Sequence, residues 1–307
     1  MSEQQTRLKP SLRPASQQAG RDARTSRIAR LACCGGPALV AFLLGLWQIS
    51  ARSFTQDEAA TLSATRRPLP GLLRMLGHID AVHGAYYLLI HCVVLAFGTS
   101  ETAVRFPSVV ATAVAAGVLA ALGRRLAGLR AGAAAGLLFA VAPPVTGAAQ
   151  NARPFALATA LAVTACYLFT RYAQTGLRRH AIGYAAALAA TGCVEVLALM
   201  VVLAHAVTLL LAPDLRPRRR GFLAAATAAL IVVSPLIWLD VTQVQQVAWE
   251  QRPGPVVLLS VLALVAASGA VARVALRAGK EPTPGPAWPE PEPGPTPAGP
   301  AWPGPES

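Results

Sequence analysis

Two adjacent acidic residues, Asp57 and Glu58, stand out in a chain that is otherwise poor in carboxylates. They follow a long apolar stretch that ends at Ser50, and only eight Asp or Glu residues occur between Leu31 and Lys280. A carboxylate at a membrane surface is costly to desolvate, and it can act as a general base or bind a metal. The pair is therefore the first candidate for chemistry in this sequence.

Other polar residues accompany the pair in the segments between the apolar stretches. They are His78, Asp80, His83, Gln150, Arg153 and Glu195. Taken alone, the histidines are consistent with simple interfacial hydrogen bonding. Arg153 stands where basic residues are otherwise avoided, which indicates an anionic partner, either a carboxylate or a phosphate. A carboxylate that deprotonates a hydroxyl, beside a cation that stabilises a leaving phosphate, would suit an enzyme acting on a lipid-linked phosphate.

The composition is that of a polytopic membrane protein. Hydrophobic residues make up 54% of the 307 and charged residues only 13%, which is too little polar surface for a soluble globule. The net charge of +13 comes mostly from short clusters between the apolar stretches, as the positive-inside rule produces, so no nucleic-acid partner is expected. The five cysteines lack metal-ligand spacing.

We predict an all-α fold, a polytopic transmembrane helical bundle with about eight crossings. The predicted crossings are residues 28–50, 107–123, 131–147, 155–172, 181–194, 197–212, 221–238 and 255–272. The basic clusters share one side with the basic N-terminus, so both termini are expected in the cytoplasm and the protein in the plasma membrane. The apolar run 84–98 is short, and we expect it to lie at the outer surface or to be re-entrant.

The chain is predicted to have three regions. Residues 1–27 form a basic cytoplasmic tail that leads into an uncleaved signal anchor. Residues 28–277 form the transmembrane domain with an outer loop, 51–106, whose part 59–76 should be a juxtamembrane amphipathic segment interrupted by two prolines. The Pro/Gly-rich tail 278–307 is expected to be disordered.

Five motifs occur in register along the first half of the chain. They are Phe54–Glu58, Asp80–Tyr87, Phe97–Ser108, Gly123–Gly128 and Ala149–Leu157. This series resembles the N-terminal half of bacterial polyprenyl-phosphate-dependent glycosyltransferases of the GT-C fold, that is, the protein mannosyltransferase-like family and its lipopolysaccharide-modifying relatives. The resemblance covers about residues 28–260.

The resemblance implies inverting transfer of a sugar, with mannose expected, from a polyprenyl phosphate donor to a protein, glycan or lipid acceptor on the outer face. Asp57 would be the catalytic base, and Glu58 would support it. The residues implied to line the acceptor side are Asp80, His83, Tyr86 and Glu195. Those implied to bind the donor phosphate are Gln150 and Arg153. A divalent cation such as Mg²⁺ or Mn²⁺, if one is used, would be held by Asp57 and Asp80.

Two other classes of function stay open at this point. A truncated, catalytically inactive or accessory membrane protein would bind lipid phosphate or a partner, and a second polypeptide could complete the fold. A small-solute transporter would also suit Ala/Gly-rich helices, but it predicts polar residues near mid-membrane. Here the polar residues concentrate at one face, which argues against transport.

Overall fold

The computed structural model describes residues 15–243 and the isolated positions 254–256, 259 and 263, with side chains from residue 27 onwards. The chain divides into two units, Met1–Glu250 and Gln251–Ser307. The predicted crossing 255–272 lies almost entirely outside the described residues, and the predicted tail 278–307 lies wholly outside them.

The regular structure of residues 15–243 is entirely helical, which confirms the all-α part of the predicted fold class. The α-helices are α1 (Ala15–Leu46), α2 (Gln56–Thr65), α3 (Leu69–Leu76), α4 (Gly84–Phe97), α5 (Glu101–Val141), α6 (Pro143–Ala149), α7 (Phe155–Thr175), α8 (Arg178–Val194), α9 (Val201–Leu211) and α10 (Arg219–Thr242). The 3-10 helices are Ala81–His83, Val196–Met200 and Pro213–Arg218.

Four segments of the described residues are long and apolar enough to cross a membrane. They are Arg27–Leu46, Glu101–Val141, Phe155–Thr175 and Pro213–Thr242. Two more predicted crossings, 181–194 and 197–212, correspond to α8 with 17 residues and α9 with 11. Both are shorter than the roughly 20 residues that a crossing needs. The predicted total of about eight crossings therefore stays a prediction.

α5 is a helical hairpin, and its two apolar arms are separated by a turn that carries Arg124, Arg125 and Arg130. Its backbone leaves the helical region at Gly128, where φ is 89° and ψ is 176°, a conformation that favours glycine. The arms 101–127 and 129–141 then pack together, because a Cβ added to Gly132 would lie 2.5 Å from the carbonyl oxygen of Ala120. The two arms correspond to the predicted crossings 107–123 and 131–147, but the second arm ends at Val141 and is shorter than a full crossing, so these two crossings stay predictions.

The connections between the helices lie at two ends of the bundle, called here the Asp57 end and the arginine end. At the Asp57 end, Ser108 near the start of α5 donates a hydrogen bond to the carbonyl of Asn151 at 2.8 Å, and Gly45 of α1 packs on Val109 and Ala149. The arginine end carries the α5 turn and the connections α7–α8 and α9–α10. Small residues let α1 and α5 approach closely, as where Gly117 meets the backbone of Cys34.

A buried cluster beneath the Asp57 end holds α2, α3 and α4 against the start of α5. Its members are Leu62, Ala64, Leu72, Tyr86, Tyr87, Ile90, Val104 and Ala152. α2 and α3 are separated where the two prolines were predicted to interrupt the segment. α4 has 14 residues and would extend about 21 Å, less than the hydrocarbon core of a bilayer. His91 of α4 also contacts the carbonyl oxygen of Thr65 in α2 at 2.8 Å.

Candidate functional site

Asp57 and Glu58 occupy the first turn of α2, where Thr55 is the N-cap. The Thr55 hydroxyl accepts from the Glu58 backbone N–H at 3.3 Å, and the Glu58 carboxylate accepts from the Thr55 N–H at 3.0 Å. This reciprocal capping box fixes the start of the helix. Since successive residues of a helix point about 100° apart, the two neighbouring carboxylates face different surroundings.

The Glu58 carboxylate is buried and fully engaged. Arg105 donates to its two oxygens at 2.7 and 2.9 Å, and the backbone N–H of Ala152 donates at 2.9 Å. Burial alone would raise the pKa of Glu58, but the hydrogen bonds from Arg105, Thr55 and Ala152 outweigh it and lower that pKa to about 2. Glu58 is therefore ionised at neutral pH, and both of its oxygens already accept hydrogen bonds.

Arg105 extends the network from Glu58 into the connection between α1 and α2. Its guanidinium donates to the backbone carbonyls of Ile49, Arg52 and Ser53 at 2.7, 2.9 and 3.3 Å. A single buried ion pair thus joins the end of α1, the start of α2 and the start of α5. It also reaches the segment before α7 through Ala152.

Asp57 points outward and faces Arg153. Its carboxylate oxygen lies 3.8 Å from Nε of Arg153, and the two side chains are 67% and 17% exposed. The Arg153 guanidinium lies 5.6 Å from the centre of the Phe155 ring. Glu58 is hydrogen-bonded to Ala152. Asp57 directly precedes Glu58 and Arg153 directly follows Ala152, so this bond brings Asp57 and Arg153 together. The buried pair therefore positions the exposed pair.

A second group of site residues lies at the same end. It consists of Asp80, His83, Tyr86 and Tyr87. Asp80 has a left-handed backbone, φ 56°, and accepts a hydrogen bond from the Tyr87 hydroxyl at 3.3 Å. The His83 ring stacks on Tyr87 at 5.8 Å. Tyr86 is almost completely buried in the core cluster, so its ring packs in the core and does not face the site's surface.

The pKa of His83 is affected by several charged residues of the site. Its burial and the nearby charge of Arg153 lower its pKa, while Asp80, Glu195 and Asp240 act in the opposite direction. Four of the residues involved, His83, Asp80, Arg153 and Glu195, were singled out from the sequence. The fifth, Asp240 near the C-terminal end of α10, was not.

Gln243, directly after α10, fixes this arrangement. Its side-chain oxygen accepts from the Ala81 N–H at 3.1 Å, and its amide donates to the Leu76 carbonyl at 3.2 Å. Sequence reasoning missed Arg105, Asp240 and Gln243 as parts of the site. Arg105 did carry a signal, because it lies in the motif Phe97–Ser108 just before a predicted crossing.

Gln150 stands apart from Arg153 in its contacts. Its amide donates to the carbonyls of Trp47 and Leu44 at 2.6 and 3.4 Å. It lines a cavity of about 370 Å³ together with Trp47, Arg52, Glu58, Arg105 and Asn151. Among the described residues, neither Asp57 nor Arg153 lines that cavity.

The described residues do not fit a divalent cation site. Within them, no three side chains of the His, Cys, Asp and Glu types come together in a way that could hold a metal. Asp57 faces Arg153, and Asp80 accepts from Tyr87, so each of the two suggested ligands has another partner.

The apolar helices and the family match together define a multi-pass membrane protein of the glycosyltransferase type, and the candidate site lies at one end of its helical bundle. Residues 84–238, half of the chain, match the sequence profile of the dolichyl-phosphate-mannose-protein mannosyltransferase family. The chain belongs to that family. Asp57, Glu58, Asp80 and His83 precede the matched residues. No curated protein matches the sequence. Neither the family match nor the described structure supports the second polypeptide left open above.

Proposed function

We propose that the protein transfers mannose from a polyprenyl phosphate donor to an acceptor hydroxyl on the outer face of the plasma membrane, with inversion at the anomeric carbon. The observation that carries the proposal is the exposed Asp57 carboxylate beside Arg153, in a chain of this mannosyltransferase family. The family's description names a dolichyl-phosphate-mannose donor and a protein acceptor, so a protein hydroxyl is our preferred acceptor.

Asp57 would act as the general base. Its carboxylate takes the proton of the acceptor hydroxyl while that oxygen forms a bond to the anomeric carbon. The bond between this carbon and the phosphate oxygen breaks, and its electron pair leaves with the polyprenyl phosphate. A single displacement inverts the anomeric centre and needs no covalent intermediate on the protein.

Arg153 would stabilise the departing phosphate, on which negative charge develops. Before a donor binds, its guanidinium faces Asp57 at 3.8 Å, which is too long for a hydrogen bond, so the cation remains able to take another anion. Glu58 and Arg105 would act as positioning residues only. Asp80, His83 and Glu195 would line the space that receives the acceptor.

Sugar transfer by the purified chain tests this function. The protein is reconstituted with radiolabelled polyprenyl-phosphate mannose and a Ser/Thr-rich peptide, and labelled peptide is counted. We expect wild-type transfer and a loss of about 10²–10⁴-fold in Asp57→Asn, the usual contribution of a general base. The alternative of an inactive lipid-phosphate binder predicts donor binding that depends on Arg153 without turnover in any preparation.

A further inference from the structure

The arginine end of the bundle holds a group of cations that the proposed transfer reaction does not use. Arg125, just before the α5 turn, and Arg171, near the C-terminal end of α7, converge on one aromatic ring. Their guanidinium carbons lie 5.7 and 6.0 Å from the centre of the Tyr167 ring. Both arginines are half-buried. Two like charges that share one ring repel each other, and the cost rises as water is removed.

The neighbours that hold these arginines are neutral. Arg125 donates to the side-chain oxygen of Gln174 at 2.7 Å, and Arg171 donates to the Tyr167 hydroxyl at 3.3 Å. Arg171 also contacts Nε2 of His180 at 3.1 Å. As an arginine only donates, that nitrogen accepts and the ring is neutral. Each bond orients a guanidinium without neutralising it.

Carboxylates are almost absent from this end. In residues 124–130, 171–180 and 212–220, all of which the structure describes, the single acid is Asp214. Ion pairs among the described residues are Arg105 with Glu58 and Arg153 with Asp57, both at the opposite end. The Nε atoms of Arg125 and Arg171 are buried and have no hydrogen-bond partner within the described part of the chain.

Arg218 adds a third cation at the same end of the bundle. Its guanidinium packs directly on the backbone of Gly176, in the turn between α7 and α8, where a side chain would collide with it. Gly176 has φ 66°, which glycine adopts without strain. The turn therefore brings the α9–α10 connection against the C-terminal end of α7. The positive-inside rule explains the sign of these charges, but it does not require two guanidiniums on one ring.

We propose that Arg125 and Arg171, oriented by Tyr167, bind a phosphate group, carried either by an anionic phospholipid headgroup or by free phosphate. The planar guanidinium matches phosphate oxygens with paired hydrogen bonds. Basic pockets between membrane helices are suited to anionic headgroups. The site lies at the end of the bundle opposite Asp57, so it is separate from the proposed transfer site.

A thermal-stability measurement in neutral detergent tests the site. Melting temperatures are measured with added phosphatidylglycerol micelles, phosphatidylcholine micelles or inorganic phosphate. A ligand that binds the folded state near 100 times its Kd should raise the melting temperature of the wild type by about 5 °C. A rise with phosphatidylglycerol alone identifies the lipid as the source, and an equal rise with inorganic phosphate identifies the free anion.

The matched variants separate a built site from general positive charge. Arg125→Gln with Arg171→Gln should abolish the rise. Arg178→Gln with Arg179→Gln removes the same charge from exposed positions at the same end and should keep it. If the first double variant gives no folded protein, Tyr167→Leu removes the shared ring at constant charge and should also abolish the rise. Equal responses in both double variants, or no rise in the wild type with any addition, would overturn the proposal.

Discussion

Asp57 and Glu58 are neighbours in sequence, yet their carboxylates lie in opposite environments. Glu58 is 1% exposed and pairs with Arg105 at 2.7 Å, whereas Asp57 is 67% exposed and faces Arg153 at 3.8 Å. The difference arises because the capping box turns one residue of the first helical turn inward and leaves the preceding one outward. The buried pair has every partner it needs, while the exposed pair can exchange its partners.

We therefore expect the buried pair, Glu58 and Arg105, to stabilise the fold, and the exposed pair, Asp57 and Arg153, to take part in the chemistry. A buried ion pair with complete hydrogen bonding is costly to break, because removal of one partner leaves an uncompensated charge. A half-exposed pair contributes little to stability. Substitutions in and around the two pairs should separate their roles, and the largest expected effect is on the buried pair.

Arg105→Ala should destabilise the fold most. It leaves the buried Glu58 carboxylate without its cation, and we expect a loss of about 3–5 kcal/mol. Thermal unfolding in detergent measures it. Arg153→Ala is the control, with an expected change below about 1 kcal/mol. Equal destabilisation by the two substitutions would show that burial does not distinguish the pairs.

Arg153→Gln should weaken binding of the donor phosphate by about tenfold or more, since a charge-assisted hydrogen bond is lost. Fluorescence titration with polyprenyl phosphate measures the affinity. Arg67→Gln removes an exposed charge from the same end and should leave the affinity within about twofold, because exposed charges are screened. A tenfold loss in both variants would mean that Arg153 acts only through general charge.

Thr55→Ala should cost about 1 kcal/mol, because it removes the hydroxyl that caps α2. The melting temperature reports this loss, and Thr55→Ser should restore most of it. A result for Thr55→Ala equal to wild type would mean that the buried pair alone holds the start of α2.

Acid should weaken the fold through His83 by a small amount. Burial and Arg153 lower its folded-state pKa, so the unfolded chain takes up the proton first. The stability contributed by the neutral ring is present above pH 6.5 and is lost as the pH falls from there to the folded-state pKa. The Glu58 contribution persists there and is lost only as the pH falls below about 4.3 towards about 2.

The pH effect is measured as the difference between wild type and His83→Gln in melting temperature from pH 7.5 to 5. The wild type should lose more stability than the variant over this range. Parallel curves would contradict the role given to burial of His83.

Much of the fold could be predicted from the sequence because the relevant signals are local. Long apolar runs between arginine clusters mark α1, α7 and α10, and the prolines mark the break between α2 and α3. The shorter α8 and α9 were harder to judge, because their residues are as apolar as those of a full crossing. Hydropathy records composition, whereas helix ends depend on tertiary packing.

The site was only partly predictable, because its decisive contacts are distant in sequence. Arg153 was expected to face either a carboxylate or a phosphate, and it lies beside Asp57. The bond between Glu58 and Arg105 joins residues 47 positions apart, and no helical period predicts such a pair. The inward turn of Glu58 is set by Thr55 and by this distant arginine, so the two acids could not be told apart from their spacing alone.

The most direct test measures sugar transfer and melting temperature in the same preparations of Asp57→Asn and Glu58→Gln. We predict that Asp57→Asn melts like the wild type but transfers mannose about 10²–10⁴ times more slowly. Glu58→Gln should melt lower, and the fraction that stays folded should still transfer. Wild-type transfer rates in Asp57→Asn, or loss of transfer in Glu58→Gln at unchanged melting temperature, would contradict the division of roles between the two acids.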